Sequence, residues 1–131
     1  MTCVDTTILI DLFAGREVPH VARFETLIAQ GEDICLCGVI LTEVLQGIKE
    51  DSEYAQVETV LANFVFLPMT RETFRLAARL YRSLRAQGIT IRNSVDCMIA
   101  AVCIEYQVPL LHHDRDFEFI AAHSALQIVR V

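Results

Sequence analysis

Short apolar runs alternate with amphipathic, helix-period stretches along the whole chain. Residues 2–4, 34–37 (Ile-Cys-Leu-Cys), 64–67, 108–111 and 127–130 read as strands. Between them, residues 6–13, 18–30, 39–48, 53–63, 70–87, 94–106 and 115–122 carry helical patterns. The punctuation agrees: Gly31 closes the second helix, Pro68 ends the third strand and Gly88 stops the long fifth helix. Connections are short, and there is no repeat, linker or low-complexity tract. Strand and helix in alternation predict one α/β domain over residues 1–131, with a largely parallel five-stranded central sheet flanked by helices.

Four acidic residues stand out against this pattern. Asp5, Glu43, Asp96 and Asp114 each lie in or just beyond a strongly apolar stretch. A carboxylate drawn out of water is costly unless it is paired, hydrogen-bonded or bound to a cation. The chain has a single Lys, Lys49, so a hard divalent ion held by oxygens, Mg²⁺ or Mn²⁺, is the natural counter-charge. The layout gives the acids a common address. Asp5 ends the first strand, Asp114 lies just past the fourth, Asp96 is in the first turn of helix 94–106, and Glu43 is on the helix after the second strand. Open parallel sheets bind ligands at the carboxyl ends of their strands, so all four can reach one rim. The expectation is a metal-dependent enzyme.

Each acid also has a purely structural reading. Asp5 before Thr-Thr-Ile and Asp114 before Arg-Asp-Phe are good helix N-caps. Asp96 suits the positive end of its helix, or answers a cap at Asn93, although its angular neighbours Ala100 and Cys103 are apolar. Glu43 shares a face with Thr42 and Gln46 and, taken alone, reads as a solvated surface residue. Asp116 reads as a first-turn acid, and Asp11 as exposed at the end of a short helix. Of His112 and His113, one is expected to pack and one to face the site. The functional reading rests on the combination.

Composition narrows the class. At 131 residues and 53% hydrophobic, the chain can bury a sizeable core, and no apolar run is long enough to span a membrane. The start lacks the basic region and cleavage site of a signal peptide, which points to the cytoplasm. Five cysteines, an odd number in apolar surroundings, predict buried free thiols. A zinc site from Cys35, Cys37, His112 and His113 is disfavoured by the one-residue gap between the cysteines. A net charge of −6 argues against nucleic acid as a partner, but the distribution argues less strongly. Ten of the eleven basic residues are Arg, and Arg71, Arg75, Arg79, Arg82 and Arg85 fall on one face of the fifth helix. That stripe reads first as a solvated face and second as a contact for phosphate or an acidic partner.

Four segments carry a family resemblance. They are Val4-Asp5-Thr6-Thr7, Thr42-Glu43-Val44-Leu45-Gln46-Gly47, Ser94-Val95-Asp96-Cys97-Met98-Ile99-Ala100-Ala101 and Leu111-His112-His113-Asp114-Arg115-Asp116-Phe117. In order and interval they resemble a PIN-domain ribonuclease of the VapC toxin type, across nearly the whole chain. His112 departs from the pattern, since members of the family often carry Thr there. The resemblance implies an endoribonuclease that is the toxin of a toxin–antitoxin pair, binding Mg²⁺ or Mn²⁺. It further implies a homodimer and a small VapB-like antitoxin as partners, with RNA as substrate. Asp5, Glu43, Asp96 and Asp114 take the core acidic positions, and Asp116 matches a frequent fifth acid.

In the mechanism these residues suggest, Asp5, Asp96 and Asp114 ligate metal directly. Glu43 ligates or orients the attacking water, and Asp116 assists a second ion or acts from outside it. Arg92 at the rim is the expected phosphate contact, with Thr6 beside it. Two other doubly wound enzyme classes fit poorly. A phospho-acceptor receiver domain would want paired acids near the first strand and a late Lys. A haloacid-dehalogenase-type phosphatase would want Asp-x-Asp where this chain has Asp5-Thr6-Thr7. The remaining alternative is a catalytically inactive PIN-like binding or regulatory module.

Overall fold

The computed structural model describes residues 1–131. Eleven elements follow one another: β1 (Thr2–Val4), α1 (Thr6–Phe13), α2 (Pro19–Ala29), β2 (Ile34–Cys37), α3 (Gly38–Gln46), α4 (Asp51–Leu61), β3 (Val65–Leu67), α5 (Arg71–Ala86), α6 (Ser94–Tyr106), β4 (Leu110–Leu111) and α7 (Arg115–Ala122). The sheet has four strands in the order β3-β2-β1-β4, and every pairing is parallel. Its register sets Cys3 beside Cys35 and Leu110, with Cys35 beside Val65.

The central strands β1 and β2 are buried at every position, which explains why they read as continuous apolar runs rather than alternating ones. Helices cover both faces of such a sheet. A single cluster of 31 buried apolar residues runs from Cys3 and Val4 through Ile40, Ile99 and Leu110 to Phe117 and Ile120. α5 and α6 pack most extensively on each other. The five cysteines are free and buried, as their apolar surroundings predict.

One expected strand is missing. Residues 127–130 form only an isolated parallel bridge between Leu110 and Ile128, held by Leu110 N–H to Gln127 C=O at 2.9 Å and Val129 N–H to Leu110 C=O at 3.0 Å. The physical reason lies in β4, which is itself only two residues long and offers no ladder to extend. The sheet therefore has four strands and a one-residue fringe, not five strands.

α6 ends at Gln107, whose φ of 54° is the left-handed conformation that usually falls to glycine. At its other end Asn93 caps the helix, its side chain accepting from Val95 N–H at 3.0 Å. That cap sets where the first turn of α6 begins, and with it the position of Asp96.

Candidate active site

The chain steps outward from β1 to β2 to β3, then returns to lay β4 on the other side of β1. The carboxyl ends of β1 and β4 therefore flank the topological switch point, where open parallel sheets form their crevice. Asp5 leaves β1 there, and Asp114 follows β4 after two histidines.

Asp5 is a helix cap and a site residue at once. Its Oδ2 accepts from Thr7 N–H at 3.1 Å and from the Thr7 hydroxyl at 2.6 Å, with only 3% of the residue exposed. Burial, joined by the charge of Glu43, holds its pKa above the ordinary carboxylate range despite these bonds. Glu43 arrives from α3 and is half-buried, because the Thr6 hydroxyl donates to its Oε1 at 2.8 Å. The wholly solvated position suggested by its own helix face is not the one it occupies.

Asp96 projects from the first turn of α6 into the same crevice. Its pKa is pushed up to about 7, first by burial and then by the charges of Asp5, Asp114, Asp116 and Glu43. Asp114 caps α7, its Oδ1 accepting from Asp116 N–H at 3.0 Å and from Arg92 Nη2 at 2.9 Å. Asp116 is buried and accepts from Arg92 Nε at 3.1 Å and from the Arg92 backbone N–H at 3.3 Å. One arginine thus grips both acids on the α7 side.

These groups line a cleft of about 310 Å³ made by the five acids with Thr6, Thr7, Asn93 and Arg92, and no hydrophobic residue takes part. Five carboxylates face one guanidinium. The N-termini of α1, α6 and α7 point their positive ends at the same place and offset part of the repulsion. As the side chains stand, no three carboxylate, imidazole or thiol groups form a ready-made ion cage. Arg92 accounts for part of this, since it draws Asp114 and Asp116 to itself. The donor set nevertheless fits a hard divalent ion: all oxygen, several carboxylates, and an Asp96 whose ionised form lacks a compensating charge.

One histidine packs as expected, but the other does not face the acidic cleft. His112 is buried against Phe117, and its Nδ1 accepts from Asp114 N–H at 3.0 Å. Burial lowers its pKa, against the opposing pull of Glu118. His113 is exposed and stacks on His20 with ring centroids 4.0 Å apart. His20, a residue the sequence did not single out, is buried and lies with Nε2 2.6 Å from Asp11 Oδ2. Asp11 is consequently not the exposed helix-end acid expected; its side chain is 14% exposed and is shared between His20 and Arg16. Arg71, Arg75, Arg79, Arg82 and Arg85 are all exposed and line no part of the acidic cleft. No zinc cluster forms from Cys35, Cys37 and the histidines.

Comparison with known proteins accords with this geometry. The sequence profile of the PIN domain matches residues 2–122. This chain belongs to the PIN-domain family. The profile spans every acid of the cleft in this PIN domain, from Asp5 to Asp116. Among curated relatives, ribonuclease VapC11 of Mycobacterium tuberculosis is 31% identical over 129 residues, 97% of this chain and 96% of its own. Ribonuclease VapC19 of the same organism is 34% identical over 111 residues, 85% of this chain and 86% of its own. Solved structures share the fold. VapBC2 from Rickettsia felis, bound to a DNA fragment from its promoter, aligns with TM-score 0.78 at 17% identity, covering 98% of this chain and 96% of that one. VapBC-5 from Mycobacterium tuberculosis, a toxin–antitoxin system member, aligns with TM-score 0.70 at 26% identity, covering 99% and 98%.

Proposed function

We propose that this PIN domain is a metal-dependent endoribonuclease, hydrolysing RNA phosphodiester bonds as the toxin of a toxin–antitoxin pair. The observation that carries the reading is the meeting of five carboxylates in one wholly polar cleft, with Asp96 pushed up to about 7 by burial and then by the charges of its neighbours. Five carboxylates drawn together around one guanidinium repel each other at a cost that a bound cation or a catalytic task would offset. The relatives named ribonucleases are similar over nearly the whole chain, which supports RNA as the substrate.

Asp5, Asp96 and Asp114 would hold Mg²⁺ or Mn²⁺, with Asp116 behind them. The ion would supply a water of lowered pKa and neutralise charge on the phosphate. The remaining roles fall to the chain itself. Glu43, fixed by Thr6, is placed to orient the attacking water. Thr6, which lines the cleft, would lie beside the bound RNA. Arg92, with its side chain 62% exposed, can meet the phosphate while Asp116 anchors its Nε.

The partners follow the same reading. Two apolar hollows flank Glu43. One, about 850 Å³, includes Phe66, Met69 and Phe74; the other, about 230 Å³, includes Ile10, Phe13 and Ile48. Phe66 is 54% exposed and Ile10 49%, which suits contact with a VapB-like antitoxin and with a second copy of the chain. No helix is long and apolar enough to cross a membrane, and we place the protein, working as one domain, in the cytoplasm.

Incubation of the purified, partner-free protein with total cellular RNA tests the proposal, in Mg²⁺, Mn²⁺ and chelator, with Asp96→Asn alongside. Discrete cuts that need metal and vanish in the variant are expected. Intact RNA in every arm, with no metal bound, would replace the enzyme by an inactive binding module.

A further inference from the structure

A second cleft opens beside the acidic one and shares Arg92 and Asp114 with it. It encloses about 700 Å³, and its walls include His112, His113, Arg115 and Arg130. Most of its polar groups are already committed. His112 is locked by Asp114 N–H and Phe117, Arg130 pairs with Glu118 at 3.0 Å, and Arg92 holds Asp114 and Asp116. Two groups are not. The exposed Arg115 has no ion pair or side-chain hydrogen bond, and the imidazole of His113 has no hydrogen-bond partner.

His113 is exposed but not loose. One face of its ring lies on His20 at 4.0 Å with only 12° between the planes. His20 is itself buried and fixed by Asp11, which Arg16 holds from the other side. The His113 backbone N–H donates to Thr7 Oγ1 at 3.0 Å, and that same hydroxyl donates to Asp5. The ring is thus a platform buttressed from behind and tied to the acid site. A flat ring already held in place has little freedom to lose when another ring stacks on it.

We propose that this second cleft is a nucleotide subsite. The base flanking the scissile phosphate stacks on the free face of His113, and its phosphate meets the Arg115 guanidinium. Bases can stack on a protein ring only when splayed out of a duplex, so the subsite selects single-stranded RNA. The inference rests on the nuclease reading and names the residues that seat the base beside the cut.

The test measures binding of a short single-stranded oligoribonucleotide, and of its duplex, to full-length protein in Mg²⁺. The variants for RNA binding are made in the non-cleaving Asp96→Asn background, His113→Ala is also made in the cleavage-competent chain, and the unsubstituted chain is assayed separately for metal-dependent RNA cleavage. His113→Ala should weaken single-strand binding by about tenfold, the size expected for one stacked base. His113→Phe should restore it, since stacking needs a ring and not a proton. Arg115→Ala should weaken binding and flatten its salt dependence. Duplex should bind poorly to all. Thermal shifts with Mn²⁺ in the cleavage-competent background should be the same with and without His113→Ala. The subsite is overturned if His113→Ala binds like its parent, or if His113→Phe is as weak as His113→Ala, while the unsubstituted chain still cuts RNA. A chain that cuts no RNA in any metal overturns the nuclease reading itself.

Discussion

The hydroxyl of Thr6 donates to Glu43 across 2.8 Å, joining two helices whose contributing residues lie 37 positions apart. This bond turns a residue on an otherwise polar helix face into part of the acidic cleft. The neighbouring Thr7 has other work: its N–H and hydroxyl donate to Asp5, and its hydroxyl accepts from His113 N–H.

Thr6→Val keeps the shape and removes the donor. Turnover should fall by about tenfold, in line with the ~1.5–3 kcal/mol of a hydrogen bond to a charged group. The melting temperature should fall by about a few degrees, as loss of one such bond implies, and metal affinity should fall little. Cleavage rates and thermal unfolding of the one variant check both halves. Unchanged turnover would remove Glu43 from the water-orienting role.

Asp96 makes the metal-free protein sensitive to pH. Its folded pKa of about 7 lies above the 3.8 of a free carboxyl, so the folded chain binds a proton that the unfolded chain has released. Stability from this group is complete below about pH 4 and is lost as pH rises through about 7. Asp96→Asn does not titrate. Without metal it should melt higher than the unsubstituted chain at pH 8, with the gap closing towards pH 4. Adding Mn²⁺ at pH 8 should raise the melting temperature of the unsubstituted chain far more than that of the variant. Parallel melting curves across pH would disprove the burial and crowding assigned to Asp96.

In the proposed site, Arg92 and a divalent ion would compete for the same carboxylates. Arg92→Ala leaves the buried Asp116 without its guanidinium, so the metal-free protein should melt lower at neutral pH. It also frees Asp114 and Asp116 for a cation. The rise in melting temperature on adding saturating Mn²⁺ should therefore exceed that of the unsubstituted chain, while RNA cleavage falls. Equal metal shifts in the two proteins would show that the arginine and the ion do not meet.

Gln107 offers a test away from the site. Its φ of 54° places a side chain in backbone territory that glycine occupies freely. Gln107→Gly should stabilise by about 1 kcal/mol, the relief of left-handed strain less the added freedom of the unfolded chain. Chemical denaturation reads this directly, and a loss of stability would mean that the Gln side chain has a task of its own.

Much of this could be read before the fold was seen, and the exceptions share a cause. α1, α6 and α7 match their expected bounds because their caps, Asp5, Asn93 and Asp114, are local signals written next to the helices they start. The fifth strand failed because residues 127–130 look like a strand but face a neighbour too short to pair with. Asp11 was misjudged because its partner His20 comes from the next helix, and nothing in the spacing announces the bond. Glu43 was ambiguous for the same reason. Capping and lining were weighed as alternatives for Asp5 and Asp114, yet the structure uses each carboxylate for both. Helix starts converge at the switch point, so the residues that cap them are the ones delivered to the crevice.

The centre of the sheet is the first strand made, and its outer neighbour β4 is the last. Asp5 is therefore made well before Asp114 and Asp116, which close the cleft from the far side. A growing chain that ends short of α7 has no assembled cleft and nothing with which to cut. The proposed activity would therefore begin only once α7 has emerged and docked. For a product proposed to harm the cell that makes it, this order of events holds back the site until the fold is nearly complete.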